Sequence, residues 1–355
     1  MAEPQRTLHV GRGASAIHTA GESAVALGHC DYEPPLRLLA GGVSGWGGVG
    51  AACPQDHVWS SGPQPAALTA MDDGQGLSWR CDGEWTFGRL LLPESAAADL
   101  EALSHLAYTR LFAALAQAGT PHLVRLWNYL PRINQEQAGL ERYRRFNLGR
   151  QAAFQQAGRS AFDGAPAACA LGCPGPAGGD EASACSGLTL YFLAGRQPVT
   201  PIENPRQVSA YRYPSQYGPA APSFSRAALA DLGGGSVGLF ISGTASIVGH
   251  ETVHLGDVRA QTRETLTNLR TLCAQASLRA GRPFRVEDLE LVVYLRHPAD
   301  LAAVRDELTQ ALGADSPALR SAIVVQADVC RADLLVEIEA HGLAPAATGA
   351  AGPAR

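Results

Sequence analysis

Apolar residues recur at helical spacing in four stretches of the chain, with short apolar runs between them. Leu100, Leu103, Leu106, Leu111 and Leu115 form a stripe that predicts a helix over about 95–118. A strand over Leu123 to Leu130 is predicted to stop at Pro131, because proline has no N–H to give a ladder. A second helix is predicted over about 138–157, after the polar stretch Asn134-Gln-Glu-Gln. A Gly/Ala/Pro-rich loop, roughly 164–185, then leads to a strand Leu188 to Leu193.

The order recurs in the second half. A strand ending in Phe240 to Ser242 precedes a helix over 258–277 that carries Leu266, Leu269, Leu272 and Ala276. The strand Leu289 to Leu295 ends at His297-Pro298, and Leu301, Val304, Leu308 and Leu312 mark a helix over 299–312. Strands follow at about Ser321 to Gln326 and Leu334 to Ala340. Leu126-Trp-Asn-Tyr-Leu-Pro pairs with Leu291-Val-Val-Tyr-Leu-Arg, and Leu190-Tyr-Phe-Leu-Ala-Gly with Val336-Glu-Ile-Glu-Ala-His. The repeat predicts an α+β fold of two related domains, 1–195 and 196–342, each a mixed sheet with helices packed on one face. Residues 195–220 are the expected connector, and 343–355 an Ala/Gly/Pro-rich disordered tail. Residues 1–90 read as short strands and loops, with apolar runs at Ala24 to Leu27 and Leu36 to Leu39.

Composition narrows the function. The chain has 355 residues, 46% apolar and 17% charged, enough for a sizeable core. A net charge of −5 argues against nucleic acid, whose phosphates demand a basic surface. No run approaches the roughly 18 apolar residues of a membrane span. Met1 to Val10 has no apolar h-region, so a cytoplasmic protein, expected to be a monomer, is predicted. All 28 basic residues are arginine. Lysine nucleophiles, lysine Schiff bases and phosphate-loop lysines are therefore excluded. What arginine offers is a fixed charge and a rigid fork for carboxylates. The eight cysteines are dispersed, which predicts reduced thiols. Cys169, Cys173 and Cys185 lack a fourth ligand at zinc spacing, so no metal is expected there.

Three constellations can carry chemistry. His250-Glu-Thr-Val-His254 matches the H-E-x-x-H zinc pattern, but it follows a strand and small residues, and the next helix starts only after Gly256-Asp257. A hydrogen-bonding or structural role fits that context better than zinc. Glu337 and Glu339 alternate with Val336 and Ile338 on a strand, about 7 Å apart on one face. They are either two carboxylates for acid–base work or a solvated face. Tyr211-Arg-Tyr213-Pro, Tyr217-Gly and Ser223-Phe-Ser-Arg226, with Arg142, Arg150, Arg296 and Arg320 elsewhere, supply either a pocket for a small dianion or ordinary surface arginines.

Residues about 217–341 resemble the RidA/YjgF fold, related to that of chorismate mutase. The resemblance rests on Gly218-Pro, Ser223-Phe-Ser-Arg-Ala, Leu239-Phe-Ile-Ser-Gly, Gln261-Thr-Arg and Val336-Glu-Ile-Glu-Ala. It implies a second such unit, degenerate, in the first half, and makes Arg320 the nearest match to a carboxylate-binding arginine. Over about 125–341 the chain resembles the chorismatases, through longer segments. These are Arg125-Leu-Trp-Asn-Tyr-Leu-Pro-Arg-Ile-Asn, Gly139-Leu-Glu-Arg-Tyr-Arg-Arg-Phe, Tyr213-Pro-Ser-Gln-Tyr-Gly-Pro, Ser242-Gly-Thr-Ala-Ser-Ile-Val-Gly-His-Glu and Cys330-Arg-Ala-Asp-Leu-Leu-Val-Glu337.

The chorismatase resemblance implies release of pyruvate from chorismate without metal or organic cofactor, with Glu337 as the acid. Arg150, Arg226, Arg296 and Arg320 would bind carboxylates, and Tyr213 would form a polar wall. Gly243, with Cys330 seven residues before Glu337, is similar to the subtype that makes 3-hydroxybenzoate. There Gly243 would leave room for the ring, and Cys330 would position or shuttle a proton. The other readings left open are a hydrolysing chorismatase that yields a dihydroxycyclohexadiene carboxylate, and a RidA-like imine deaminase or binding module.

Overall fold

The backbone follows the alternation of the sequence into twenty strands among the described residues. The structure, a computed structural model, describes residues 6–12, 24–32, 36–40, 55–62, 67–94, 99–159, 165–173 and 187–344. The first part contains β1 (Thr7–Arg12), β2 (Val25–Asp31), β3 (Arg37–Ala40), β4 (Gln55–Ser61), β5 (Thr69–Asp72), β6 (Leu77–Cys81) and β7 (Trp85–Pro93). Next come β8 (His122–Pro131), the short β9 (Glu136–Gln137) and β10 (Leu140–Glu141), β11 (Ala167–Cys173) and β12 (Gly187–Gly195). The second half has β13 (Thr200–Ile202), β14 (Ala227–Gly233), β15 (Ser236–Ala245), β16 (Ile247–Val248), β17 (Glu251–Thr252), β18 (Glu290–Leu295), β19 (Ile323–Gln326) and β20 (Val336–Ala344).

Helix α1 (Leu100–Ala118) begins where the Asp99 carboxylate accepts the Glu101 N–H, and ends at Gly119 with φ 70°. Its stripe is buried as predicted except at Leu106, which is 47% exposed. Helix α2 (Arg142–Gln156) starts later than predicted, because Ala138 and Gly139 turn residues 136–141 into the β9–β10 hairpin. Asp257 caps α3 (Val258–Ala280) by accepting the Ala260 N–H. Helix α4 (Leu301–Leu312) and the short α5 (Pro317–Ser321) follow.

Two large sheets have the orders β11-β8-β12-β7-β6-β5 and β13-β14-β15-β20-β18-β19-β3. Read from β19 to β13, the second repeats the first strand for strand. Both halves also have one parallel pair, β8 with β11 and β18 with β19. The repeat is therefore fuller than the sequence suggested. β11 occupies 167–173 of the predicted 164–185 loop, whose residues 164 and 174–185 lie outside the described ones. Its sequence, Ala-Ala-Cys-Ala-Leu-Gly-Cys, hides a strand in small residues. At Gly172 a Cβ would strike Ile133 and Asp328.

Helices α1 and α2 cover the outer face of the first sheet through Leu100, Leu111, Leu126, Leu190 and Phe192. Helices α3 and α4 cover the second through Leu266, Leu269, Leu308, Val293 and Ile338. The inner faces meet through Trp127, Tyr129, Tyr191, Leu193, Val292 and Tyr294. Layers thus run helix, sheet, sheet, helix. A third sheet, β1-β4-β2, adds Leu8, Leu27 and Val58 to the inner core, and β3 extends the edge of the second large sheet. The latter pairing crosses the expected 195/196 boundary.

Two expectations are corrected here. Leu343 and Ala344 belong to β20 rather than to a disordered tail, because they pair with Gly238 and Val237; residues 345–355 lie outside the described ones. Cys173 is disulfide-bonded, whereas Cys30, Cys81, Cys169, Cys273 and Cys330 are free. Spacing in sequence says nothing of the sulfur proximity that a disulfide needs. Cys53 and Cys185 lie outside the described residues. No helix among the described residues is long and apolar enough to cross a membrane.

Candidate active site

Strand alternation decides what β20 shows to each side. Val336, Ile338 and Ala340 face the helices, while Glu337, Glu339 and His341 point to the inner face. That face is covered by the other sheet, so Glu337 and Glu339 are each only 4% exposed. The solvated alternative is overturned. Beside β20, β15 bulges: Ile241 pairs with Ala340 and Thr244 with Ile338, so Ser242 and Gly243 together oppose Glu339. The bulge lets Ser242 Oγ donate to the Ser225 carbonyl (2.5 Å) and accept the Ala168 N–H (2.9 Å). It also brings Gly243 against Glu337, where a Cβ would overlap the carboxyl oxygen.

A cavity of about 450 Å³ opens above Glu337. Tyr143 and Arg144 of α2 form one wall; Tyr213, Tyr217, Phe224 and Arg226 form another. Cys330 and Arg331, just before β20, complete it. An inner chamber of about 30 Å³ extends past Gly243 and Cys330 to Arg150 and Cys169. Burial, reinforced by the neighbouring Glu339, pushes the Glu337 carboxyl up to about 8 against the pull of Arg125 and Arg226. Burial and then the Glu337 charge push the Cys330 thiol up to about 12, so it stays protonated at neutral pH.

Guanidinium groups ring this acid. Arg226 donates through Nη2 to Tyr213 Oη (2.7 Å) and the Val208 carbonyl (2.8 Å). Arg331 lies 4.2 Å from the Tyr217 ring centroid and 5.2 Å from that of Tyr213, and donates to the His250 carbonyl. Arg150, 1% exposed, stacks on Phe146 at 5.0 Å and donates to Asn147 Oδ1. Arg150 Nε, Arg226 Nε and Arg331 Nη2 are buried and find no acceptor among the described residues. Buried donors of this kind are costly to leave unpaired, and an anionic acceptor such as a carboxylate is the group that suits them.

The structure does not bring every expected residue here. Arg296 is not at the cavity: its donors go to the Leu334, Val329 and Arg331 carbonyls, to Asn134 and to Asp328. It is a brace for the loop before β20. Arg320, exposed on α5, donates to the Asp315 carbonyl and also lies off the cavity. The H-E-x-x-H residues span the β16–β17 hairpin rather than a helix, and His254 has a φ of 60°. His250 meets Tyr217 Oη at 3.1 Å, so it supports the aromatic wall as a hydrogen-bonding residue.

Residues 58–194 match the family described as Chorismatase FkbO/Hyg5-like, N-terminal. A 3-hydroxybenzoate synthase of Streptomyces hygroscopicus is 38% identical over 74% of this chain and 75% of its own. The chain belongs to the chorismatase family. A chorismatase of Streptomyces rapamycinicus is 39% identical over 74% of this chain and 76% of its own. A crystal structure of a chorismatase superposes with a TM-score of 0.73 at 29% identity, covering 96% of this chain and 99% of that one. The chorismatase fold here is the α+β pair of repeated units, each a mixed sheet with helices on one face, expected from the sequence.

Within this chorismatase, sequence reasoning did not single out Arg331 and Arg144, which line the cavity, or Arg125, which holds Glu339. Arg331 directly follows Cys330, and Arg144 sits in the Arg-rich start of α2, so adjacency was the available signal. Arg125 opens the segment Arg125-Leu-Trp-Asn-Tyr-Leu-Pro, but its link to Glu339 runs between the two sheets and leaves no mark in either local pattern.

Proposed function

We propose that this chorismatase converts chorismate to 3-hydroxybenzoate and pyruvate, with Glu337 as general acid. The observation that carries the reading is a buried carboxyl, held protonated at neutral pH, on the floor of a cavity ringed by arginine donors without acceptors. Chorismate has two carboxylates for those donors and an enol ether that reacts only after its methylene is protonated. The volume suits a ligand of this size.

Glu337 gives its proton to the methylene carbon, and the C=C electron pair forms the new C–H bond. The resulting oxocarbenium centre weakens the ring C3–O bond. The C4 hydroxyl oxygen closes on C3 as that bond breaks, pyruvate leaves, and the hydroxyl proton returns to the Glu337 carboxylate. The C4–O bond of the three-membered ether then breaks, the C3 hydrogen leaves as a proton with its bond electrons restoring aromaticity, and the oxygen left on C3 takes up one proton to become the phenol hydroxyl. No proton is gained or lost overall. Arg226 and Arg331 bind one carboxylate in the main cavity, and Arg150 binds the other from the inner chamber, with Tyr213 fixing Arg226. Gly243 and Cys330 shape the volume around the acid, and the Cys330 thiol serves as a neutral donor. The 38% identity to a 3-hydroxybenzoate synthase and the Gly243/Cys330 pair support the aromatic product.

Incubation with chorismate and identification of products tests the reading. Equal amounts of pyruvate and 3-hydroxybenzoate are expected. A diene diol as main product defeats the subtype, and full turnover by Glu337→Gln defeats the acid.

A further inference from the structure

The two carboxyls on the inner face of β20 have opposite surroundings. Glu339 accepts from Arg125 Nη2, from Trp127 Nε1 (3.0 Å) and from the Cys169 thiol. The arginine and indole nitrogens only donate, so the ionised carboxylate is the form that satisfies them. Arg125 is itself locked, because Nη1 donates to the Ile241 carbonyl (2.8 Å) at the start of the β15 bulge. The carboxyl of Glu337, two residues earlier on the same face, has no hydrogen-bonding partner among the described residues.

We propose that Glu339 is a positioning residue: a carboxylate anchored by donors from the first half of the chain, whose charge keeps the proton on Glu337 until the enol ether takes it. The proposal rests on the reading of Glu337 as the acid and adds a residue that does not touch the substrate, since Glu339 is absent from the lining of both cavities. Two carboxyls about 7 Å apart in a low-dielectric interior do not both ionise easily. One has three donors, so the other holds the proton.

The remaining groups around the pair favour the same division. Tyr32, beyond β2, stands 3.4 Å from Glu339 Oε1, but its proton goes to Asp56 at 2.5 Å. Cys30, Tyr129 of β8 and Tyr294 of β18 face Glu339 as neutral groups, because burial holds each of them protonated. Facing Glu337 are Cys330 and Cys169, both neutral, Tyr143 of α2, and the cations Arg226 and Arg125. The cations oppose protonation of Glu337, and burial together with Glu339 outweighs them. Arg125 is also neutralised locally by its pair with Glu339.

The test is the pH dependence of kcat/KM for pyruvate release from chorismate by wild type and Glu339→Gln. Wild type is expected to lose activity through pH about 8. In Glu339→Gln that alkaline limb moves down by about one pH unit, roughly a tenfold larger relative loss at pH 9. A folded variant with a uniformly lower rate and an unmoved limb overturns the proposal, because a structural role alone lowers rate without moving the limb. A second measurement does not need that variant to fold. The infrared carbonyl band of buried protonated carboxyl at pH 6.5 is expected in wild type and absent in Glu337→Gln. A band that persists undiminished in Glu337→Gln places the proton on another carboxyl and also overturns the proposal. Turnover retained by Glu337→Gln sinks instead the reading on which the proposal stands.

Discussion

Strands β12 and β20 occupy the same place in the two sheets, each between the repeat's long strand and its antiparallel neighbour. Both alternate, with Leu190, Phe192 and Ala194 turned to their helices like Val336, Ile338 and Ala340. On the inner face, however, β12 carries Tyr191 and Leu193 where β20 carries Glu337 and Glu339. Equivalent Tyr129 and Tyr294 bring their hydroxyls to 3.4 Å across the seam. The repeat therefore supplies a symmetric apolar interface, and the buried acidic pair is set into one copy. The other copy is not idle, since it lends Arg125 and Trp127 to hold Glu339.

The largest effect expected from breaking this asymmetry is at Glu337. Glu337→Gln should lower chorismate turnover about a hundred- to ten-thousand-fold, measured as pyruvate release. Tyr191→Phe, at the matching site of the first half, should leave it within about twofold. Stability should move the other way. The folded carboxyl sits at about 8 against an ordinary 4.5, so its protonated form is favoured by folding. That contribution is complete below about 4.5 and is lost as pH rises through about 8, at about 1.4 kcal/mol per pH unit between them. Glutamine never ionises. Thermal unfolding at pH 9 should therefore show the variant more stable by a few kcal/mol, and no such gap at pH 4.

Gly243→Ala probes how tightly the acid is placed. The new Cβ occupies the space of the Glu337 carboxyl oxygen, so the side chain must turn. A displacement of this size costs up to about a hundredfold in kcat. Product analysis sharpens the point, because a turned acid frees the volume in which water can compete with the C4 hydroxyl; a rising share of diene diol is expected. Unchanged kcat and product would mean that the carboxyl has a second position equally fit for catalysis. Arg331→Gln comes next. Losing one charge-assisted contact to a carboxylate should cost about 10–100-fold in kcat/KM, chiefly through KM.

The alternation Val336-Glu-Ile-Glu, the four helices and the order of the repeat were legible because each is a local pattern. Burial of the Glu337 face was not, since its cover comes from Trp127 and Cys169, far away in sequence. Nor was β11 visible: Ala167–Cys173 packs where side chains must be small, and small residues mimic a loop. The four arginines expected to bind carboxylates divided, Arg150 and Arg226 lining the cavities and Arg296 and Arg320 lying off them, for a related reason. Without lysine, every cation in the chain is an arginine, so residue type cannot separate a clamp from a brace.

Arg296 and Arg320 give the smallest expected effects on chemistry, and they distinguish brace from bystander. Arg296 ends in three backbone carbonyls, Asn134 and Asp328, and is mostly buried. Arg296→Ala strips those carbonyls of their donor and loosens the segment that presents Cys330 and Arg331. A loss of about 2–4 kcal/mol in chemical denaturation is expected, from several charge-assisted bonds broken at once. Arg320 donates to one carbonyl a few residues away and is exposed. Arg320→Ala should change stability by less than about 0.5 kcal/mol and kcat/KM by less than about twofold. A large rise in KM for Arg320→Ala would return it to the substrate, and would require α5 to move toward the cavity when chorismate binds.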